Sequence, residues 1–372
     1  MTKNRSNYVN KIEVLSDGLK VSFANNSEDT FPNLWLRDHA KDENNWDERS
    51  HQRKTFTAKI NPDIKIKKAN ISNEGKYIDI KWSDTANNIQ YSSEFLFKNS
   101  INYSNNKNKI KIWENKEISD DIFLNYENTI SKEGFKNLLS KLHTYGFAVI
   151  TECKKDMSPV ETLAKKIGYV RNSIFGGLWS FESNADMADS AYTNEELRPH
   201  TDSTYSNDAP GLQLLLCCKY DAIGGESIMV DGLKIAEIIK IKNKDLYDNL
   251  TNIEVPGNYT GDGVILEAKR PIIKLDDKNQ IAQISFNNYD RAPFRLDPEL
   301  TKIFYEAISL FDNLANSEQY QWRHILKPGE LLIFNNWRVL HGRGSFKGKR
   351  KIMGCYINKE DFDSSCKING LI

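Results

Sequence analysis

Three stretches of this 372-residue chain carry side chains whose types and spacing can do chemistry together. LRPHTDSTY holds His200 and Asp202 one residue apart, ELLIFNNWRVLHGRGSF ends an apolar run on His341, and FKGKRKIMGCYI places Arg350 nine residues after that histidine. In extended or turn backbone, residues i and i+2 point to the same side, so the His200 imidazole and the Asp202 carboxylate can reach one metal ion together. An isolated His-x-Asp triplet arises easily by chance. What gives it weight is a third ligand, because a non-haem iron(II) oxygenase uses two histidines and one carboxylate on one face of the metal and leaves positions open for a bidentate cosubstrate and O2. His341, about 140 residues downstream, supplies that ligand if distant strands converge. The competing reading of His341 is a hydrogen-bonded histidine at a strand end.

Arg350 bears on the cosubstrate. It opens the apolar run RKIMGCYI, at a spacing from His341 that suits a hairpin returning antiparallel, and a guanidinium there could clamp a carboxylate through two parallel hydrogen bonds. With the C1 carboxylate and ketone of 2-oxoglutarate on the metal, its C5 carboxylate needs such a clamp. On spacing alone Arg343, Lys347, Lys349, Arg350 and Lys351 all compete for the role, or together form a solvated basic turn. Gly342 and Gly344 are expected to let the chain turn tightly beside the metal.

The elements that must position these groups divide near residue 115. Before it come short alternating strands, KIEVL, LKVSF and KYIDIKW, punctuated by turn residues such as Ser16-Asp17-Gly18, so residues 1–115 read as a small β domain. SINYSNNKNK reads as a loop or connector. In residues 116–372, GFKNLLSKLHTYG and PVETLAKKIGYV carry apolar residues at helical spacing, with AVI between them as a strand. GLQLLLCCKY, ESIMVDG, QISFNNYD, ELLIFNNWRVL and RKIMGCYI follow as β runs, interrupted by helical insertions at LKIAEIIKIKNKDLYDNL and ELTKIFYEAISLFDNLANSE. This is a mainly β chain with added helices, which fits a β-sandwich or barrel core rather than a Rossmann alternation. No internal repeat or low-complexity tract is read, and Gly176-Gly177 and Gly224-Gly225 fit neither the dinucleotide nor the phosphate-loop pattern.

Bulk properties narrow the partners. Lys+Arg and Asp+Glu both total 51, with no block of like charge, which argues against a nucleic-acid arm or a membrane patch and for a small-molecule partner. No apolar segment approaches the roughly 20 residues that span a bilayer, and MTKNRSNYVNKIEVL lacks a signal core or an Arg/Ser-rich leader, so a cytoplasmic location is expected. The five cysteines, Cys153, Cys217, Cys218, Cys355 and Cys366, are odd in number and form no CxxC pair, so they read as buried thiols.

FNNWRVLHGRGSFKGKRKIMGCYI, LRPHTDSTY, GGESIMVDG, ISFNNYDRA, IFGGLWSFESNADMADSAYT and the early LWLRDH with SHQR resemble the trimethyllysine and γ-butyrobetaine dioxygenases of carnitine biosynthesis, over nearly the whole chain. The resemblance implies a double-stranded β-helix (jelly-roll) catalytic domain behind a small N-terminal β domain. It implies Fe(II) on His200, Asp202 and His341, 2-oxoglutarate held by Arg350, O2 as the other cosubstrate, ascorbate as a reductant, and a homodimer. The family often carries a cysteine-rich zinc site after WLRD. Here that region reads HAKDENNWDERSHQR and no cysteine precedes Cys153, and His39 and His51 cannot stand in for three thiolates, so no structural zinc is expected.

Substrates of that family carry a trimethylammonium group, which offers no N–H donor and is held over aromatic faces. The resemblance points to Phe175, where relatives have Tyr, and to Trp179, Tyr192 and Tyr356 as cage rings, with Tyr205 close behind the His-x-Asp motif. Asp189 matches the trimethyllysine branch, where an anion suits a substrate with a further α-ammonium; the γ-butyrobetaine branch tends to Asn. Asp189 with Asn287 or Asn288 would hold the far end of the substrate. The implied reaction is hydroxylation of trimethyllysine at its 3-position. The alternatives are γ-butyrobetaine or another betaine as substrate, or a non-catalytic betaine-binding jelly roll, whose mark would be a lost ligand or a lost arginine; none is lost here.

Overall fold

The computed structural model describes residues 5–101, 110–182 and 194–372. Asp189, Tyr192 and most of SINYSNNKNK lie outside the described residues. The chain divides into two compact units, Met1–Asn105 and Asn106–Ile372.

The first unit is built from two three-stranded antiparallel sheets. One contains Val9–Val14, Gly18–Phe23 and Glu28–Pro32, the other Ile66–Ser72, Tyr77–Trp82 and Asn88–Ser92, and each is followed by a short helix, Asn33–Asp38 or Ser93–Lys98. Alternation explains the shared core: Leu19, Val21 and Phe23 from one central strand and Ile78, Ile80 and Trp82 from the other are all buried. The strand-strand-strand-helix order thus occurs twice, a repeat missed in the sequence because its copies share alternation and turn positions rather than residues. The segment after WLRD is tied by side chains. Arg53 Nη1 pairs with Asp38 Oδ2 at 2.9 Å, and the Thr57 hydroxyl donates to Asp38 Oδ1 at 2.6 Å.

The second unit holds two main sheets with apolar side chains packed between them, the expected jelly roll, and two smaller two-stranded sheets. In the larger, the strands run Val170–Arg171, Phe346–Ile357, Leu212–Gly224, Leu331–Asn335, Phe147–Thr151 and Phe123–Asn125, with Leu178–Glu182 also pairing Phe346–Ile357. In the smaller the order is Leu197–His200, Val339–Arg343, Ser227–Asp231, Gln321–His324. Phe147, Val149, Leu332 and Phe334 of the larger sheet meet Met229 and Val339 of the smaller. The alternate residues Ala148, Ile150, Leu331 and Ile333 pack outward against the amphipathic helices Lys132–Tyr145 and Ser158–Ile167. Ile228, Val230 and Leu340 of the smaller sheet are covered by Gly232–Lys242, Lys244–Asn252 and Pro298–Ala315. Strands buried on both faces read as continuous apolar runs.

That continuity hides two features. ELLIFNNWRVL is not one strand but two, Leu331–Asn335 and Val339–Arg343, lying in different sheets and joined by a turn in which Arg338 N donates to Asn335 O at 3.0 Å. Nor do the His341 and Arg350 strands form a hairpin: Phe346–Ile357 crosses to the larger sheet and pairs along its length with Leu212–Gly224. Two further departures are local. The first helical insertion breaks at Asn243, whose side chain caps the second helix by accepting from Leu246 N at 3.1 Å. Only the first two residues of QISFNNYD, Gln283 and Ile284, are strand, as the end of Ile281–Ile284, and a hairpin not anticipated from the sequence, Glu254–Gly261 with Val264–Pro271, turns on Asp262 and Gly263 at φ 49° and 79°, the Asp-Gly signature of a tight β-turn.

Candidate active site

Strand pairing brings the two histidines together. Leu197–His200 runs antiparallel to Val339–Arg343 with His200 opposite His341, and the imidazole centroids lie 4.3 Å apart. Asp202 follows just past the strand end, where Ser203 takes a positive φ of 58° and turns the chain. Asp202 Oδ1 is 3.4 Å from His200 Nε2 and 3.5 Å from His341 Nε2. The ligand atoms of the three residues lie within 4.8 Å of one another, the one such cluster among the described residues. Gly342 serves this pairing differently from expectation. It sits inside the strand, where an added Cβ would lie 2.6 Å from Leu197 O, so its lack of a side chain allows the close approach of two strands rather than a turn. Gly344 faces the Glu226 carboxylate instead.

Neighbouring groups orient the ligands. His200 Nδ1 lies 2.8 Å from Arg198 O, which places the proton there and leaves Nε2 as the free donor atom. Asp202 Oδ2 accepts from the Tyr356 hydroxyl at 2.8 Å. The backbone of Asp202 is bracketed by Asn336: Asp202 N donates to Asn336 Oδ1 at 2.8 Å, and Asn336 Nδ2 donates to Asp202 O at 3.2 Å and to Pro210 O at 3.0 Å. Burial opposes the Asp202 charge, yet His341 and the bonds from His200 and Tyr356 hold its carboxyl well below the usual carboxylate range. Burial pushes the His341 imidazole down to about 4, so it stands neutral with a lone pair to give. Two imidazoles and one carboxylate oxygen converge, with His200 and Asp202 oriented from behind and His341 Nδ1 buried without a hydrogen-bond partner, a donor set that fits a non-haem iron(II) ion.

A cavity of about 90 Å³ opens on the triad. It is lined by the rings of Phe175, Phe181 and Tyr356 and by the polar Gln213, Asn287 and Asp290, with Gln213 Nε2 donating to the Tyr356 hydroxyl at 3.4 Å. Phe175 stands edge-on to Phe181 at 5.2 Å, and Phe181 stacks at 4.5 Å on Trp179. Trp179 is buried behind these rings, 5.7 Å from Tyr356, and supports the wall without lining it. Tyr205 lines the cavity, and Asn287 does so with its Oδ1 turned onto Tyr289 N at 2.8 Å. Asn288 does not join them; it is exposed along a neighbouring groove with Arg198 and Asp312. Phe181 escaped the sequence reading although it lies two residues from Trp179 in LWSFE, the same-face spacing of a strand. Asp290 carried no signal of its own, since it reads as a loop acid.

Arg350 stands opposite Tyr220 in the larger sheet and is 8% exposed, whereas Lys347 and Lys349 are exposed. Its guanidinium lies 5.1 Å from the Phe346 ring, and that of Arg343 lies 5.0 Å from the same ring. Arg350 Nε is buried without a partner, and burial together with Arg350 pushes Arg343 down to about 10. Two cations crowded out of water favour an anion beside them. Arg350 does not itself line the cavity at the triad.

Comparison with known proteins agrees with this architecture. Residues 112–356 match the family described as "Taurine catabolism dioxygenase TauD, TfdA family", and residues 11–97 match "Gamma-butyrobetaine hydroxylase-like, N-terminal". The chain is 31% identical to the mitochondrial trimethyllysine dioxygenase of Bos taurus, over 95% of this chain and 86% of that protein. It is 29% identical to the trimethyllysine dioxygenase of Meyerozyma guilliermondii, over 94% and 92%. A crystal structure of a taurine dioxygenase from Burkholderia xenovorans superposes with a TM-score of 0.51 at 11% identity, over 67% of this chain and 90% of that one, a likeness of fold. The cytoplasmic location expected above is corrected by these relatives: the bovine, rat and human proteins are all named mitochondrial, so the composition of the opening residues is no guide to compartment. The chain belongs to the TauD/TfdA family of iron(II)- and 2-oxoglutarate-dependent dioxygenases, and carries the N-terminal domain of its γ-butyrobetaine hydroxylase-like members.

Proposed function

We propose that His200, Asp202 and His341 hold Fe(II), that Arg350 clamps the C5 carboxylate of 2-oxoglutarate, and that the enzyme hydroxylates trimethyllysine at its 3-position. The observation that carries this reading is the His-Asp-His cluster opening on a cavity lined by both aromatic rings and polar side chains. Bound there, the iron would supply oxidative chemistry in which one oxygen atom of O2 enters a substrate C–H bond as hydroxyl while 2-oxoglutarate takes up the other and leaves as succinate and CO2. The protein contributes position. Phe175, Phe181 and Tyr356 offer ring faces to a trimethylammonium group, which satisfies a cation that cannot donate a hydrogen bond. Tyr356 and Asn336 fix Asp202 from its side chain and its backbone, so the open face of the triad stays turned to the cavity. Arg350, already stripped of water, would meet a carboxylate with two parallel bonds. Holding the substrate at both ends decides which C–H bond faces the metal. The names of the bovine and yeast relatives support trimethyllysine as the substrate.

The second reading, γ-butyrobetaine hydroxylation, draws on the N-terminal match and on the same aromatic rings. Purified protein supplied with Fe(II), 2-oxoglutarate and O2 separates the two when given each betaine alone. Succinate is expected with trimethyllysine; succinate with γ-butyrobetaine and none with trimethyllysine would sink the proposal in favour of the second reading.

A further inference from the structure

Arg270 is 7% exposed and stands opposite Val255 in the hairpin of Glu254–Gly261 with Val264–Pro271. Side chains alternate along its strand, so Ala268 and Arg270 turn inward while Glu267 and Lys269 face water. An arginine carried inward is normally met by a carboxylate, as Arg338 is by Asp231. Arg270 has no such partner among the described residues. Its Nη1 donates to the Ser285 hydroxyl at a long 3.4 Å, and its Nη2 is buried without a hydrogen-bond partner. Asp208 is the carboxylate whose charge favours that of Arg270, and it is already bonded to Arg171 at 2.8 Å.

The Arg270 side chain lines a cavity of about 20 Å³ together with Arg291, Ser285 and Asn287, while Ile272 and Phe286 supply an apolar side. Among the described residues no aspartate or glutamate lines it. Asn287 Oδ1 accepts from Tyr289 N at 2.8 Å and from Asp290 N at 3.3 Å, so the amide N–H groups are what this side chain can offer the cavity. Two guanidiniums, a hydroxyl and an amide make a donor set for an anion. Size narrows which one. A single water needs about 10–15 Å³, so the space suits one monatomic ion and not the end of an amino acid with its chain. The triad cavity shares Asn287 with this one, but neither arginine lines the former and no iron ligand lines the latter. A water here would satisfy Nη2 and leave the charge uncompensated away from bulk solvent.

We infer that Arg270 holds a monatomic anion of chloride size, in a site separate from the iron centre and from the proposed cosubstrate clamp. The inference does not depend on the function proposed above. The guanidinium is weakly hydrated and presents N–H groups side by side, which bracket an ion that has no preferred direction of approach. The ion would tie the hairpin to residues 285–287, which run behind the triad cavity, and stability is therefore its readout.

Thermal melting of the full chain tests it, followed at constant ionic strength while sodium gluconate, whose anion exceeds the cavity, is exchanged for sodium chloride. A ligand bound only by the folded protein adds a fixed increment for each tenfold rise above its dissociation constant, so Tm is expected to climb by about 2–4 °C per tenfold rise in chloride. Arg270→Met keeps an unbranched stem and removes the charge. This variant should melt at one temperature throughout, and in gluconate no lower than the unsubstituted protein, because the unpaired buried cation is gone. Crystals of the full chain grown in sodium bromide should show an anomalous scatterer against the Arg270 guanidinium, unmoved by added trimethyllysine. A chloride-independent Tm, a variant that keeps the slope of the unsubstituted protein, or crystals without bromide at Arg270 overturns the inference. Bromide displaced by trimethyllysine overturns it too, since Arg270 would then serve the substrate. Should the variant not fold, the slope of the unsubstituted protein and the bromide position decide.

Discussion

The Tyr356 hydroxyl donates to Asp202 Oδ2 at 2.8 Å while Asp202 Oδ1 faces both histidines. One ring therefore does two jobs, since its face lines the cavity and its hydroxyl aims the carboxylate. Tyr356→Phe keeps the first and removes the second. The expected outcome is a loss of about 10- to 100-fold in iron(II) affinity or in turnover, typical of deleting a partner that orients a metal ligand, with affinity for a quaternary ammonium changed far less. Titration of the apo protein with Fe(II), and separate measurement of substrate binding, distinguish the two; unchanged iron affinity and turnover would show that Asp202 is aimed without Tyr356.

Asn336 is 1% exposed and makes three hydrogen bonds that tie the turn before the His341 strand to the backbone of Asp202 and Pro210. Replacing it by Ala leaves Asp202 N–H and two carbonyls buried without these partners. Each such loss costs about 1–3 kcal/mol, so a destabilisation of at least about 2 kcal/mol in denaturant unfolding is expected, together with weaker iron binding. Full iron affinity in the variant would mean that the Asp202 corner holds its shape unaided.

The two halves of this site differ in how openly the sequence declares them. His200, Asp202 and His341 are legible because residue type and spacing alone restrict what they can do. The sheet to which each strand belongs is not, because Leu331–Asn335 and Val339–Arg343 are buried on both faces and read as one largely apolar stretch, interrupted only by Asn335-Asn336 and Arg338. The same blindness makes the His341 and Arg350 strands look like a hairpin. Burial separates Arg350 from Lys347 and Lys349, yet nothing in GKRK declares which cation is inside. Asp290 is illegible for a further reason: its place on the cavity wall depends on Thr204 and on a hairpin some thirty residues upstream, at Gly257-Asn258, none of which carries a recognisable motif.

Burial sets the thiol chemistry. It pushes Cys153, Cys355 and Cys366 up to about 12 and Cys217 up to about 11, and raises the half-buried Cys218 as well. The thiolate is the reactive form, so a raised pKa leaves each group protonated and slow at pH 8, and reactivity should keep climbing through pH 9 rather than level off. Labelling of the native protein followed by mass spectrometry should find Cys218 modified first and slowly, with all five modified after unfolding. Fast native labelling of Cys355 or Cys366 would contradict their burial.

Arg338 opens the His341 strand and grips Asp231, the last residue of the adjoining strand, through Nε to Oδ1 at 3.1 Å and Nη2 to Oδ2 at 2.8 Å. Both side chains are buried, and every remaining position is used. Asp231 Oδ1 also accepts from Leu233 N, capping the helix Gly232–Lys242, and Oδ2 accepts from Trp113 N, each at 3.1 Å. Arg338 reaches Thr144 O at 2.9 Å and Lys111 O at 2.5 Å. Losing one partner of such a pair is worse than losing both, because the survivor is left as an uncompensated charge away from water. Arg338→Leu should therefore cost about 3–5 kcal/mol, while Asp231→Leu added to it should cost less than the sum of the single changes. Unfolding in denaturant, followed by tryptophan emission, measures both; additive losses, or a single loss below about 1 kcal/mol, would show that the strand bearing His341 is held by its apolar packing alone.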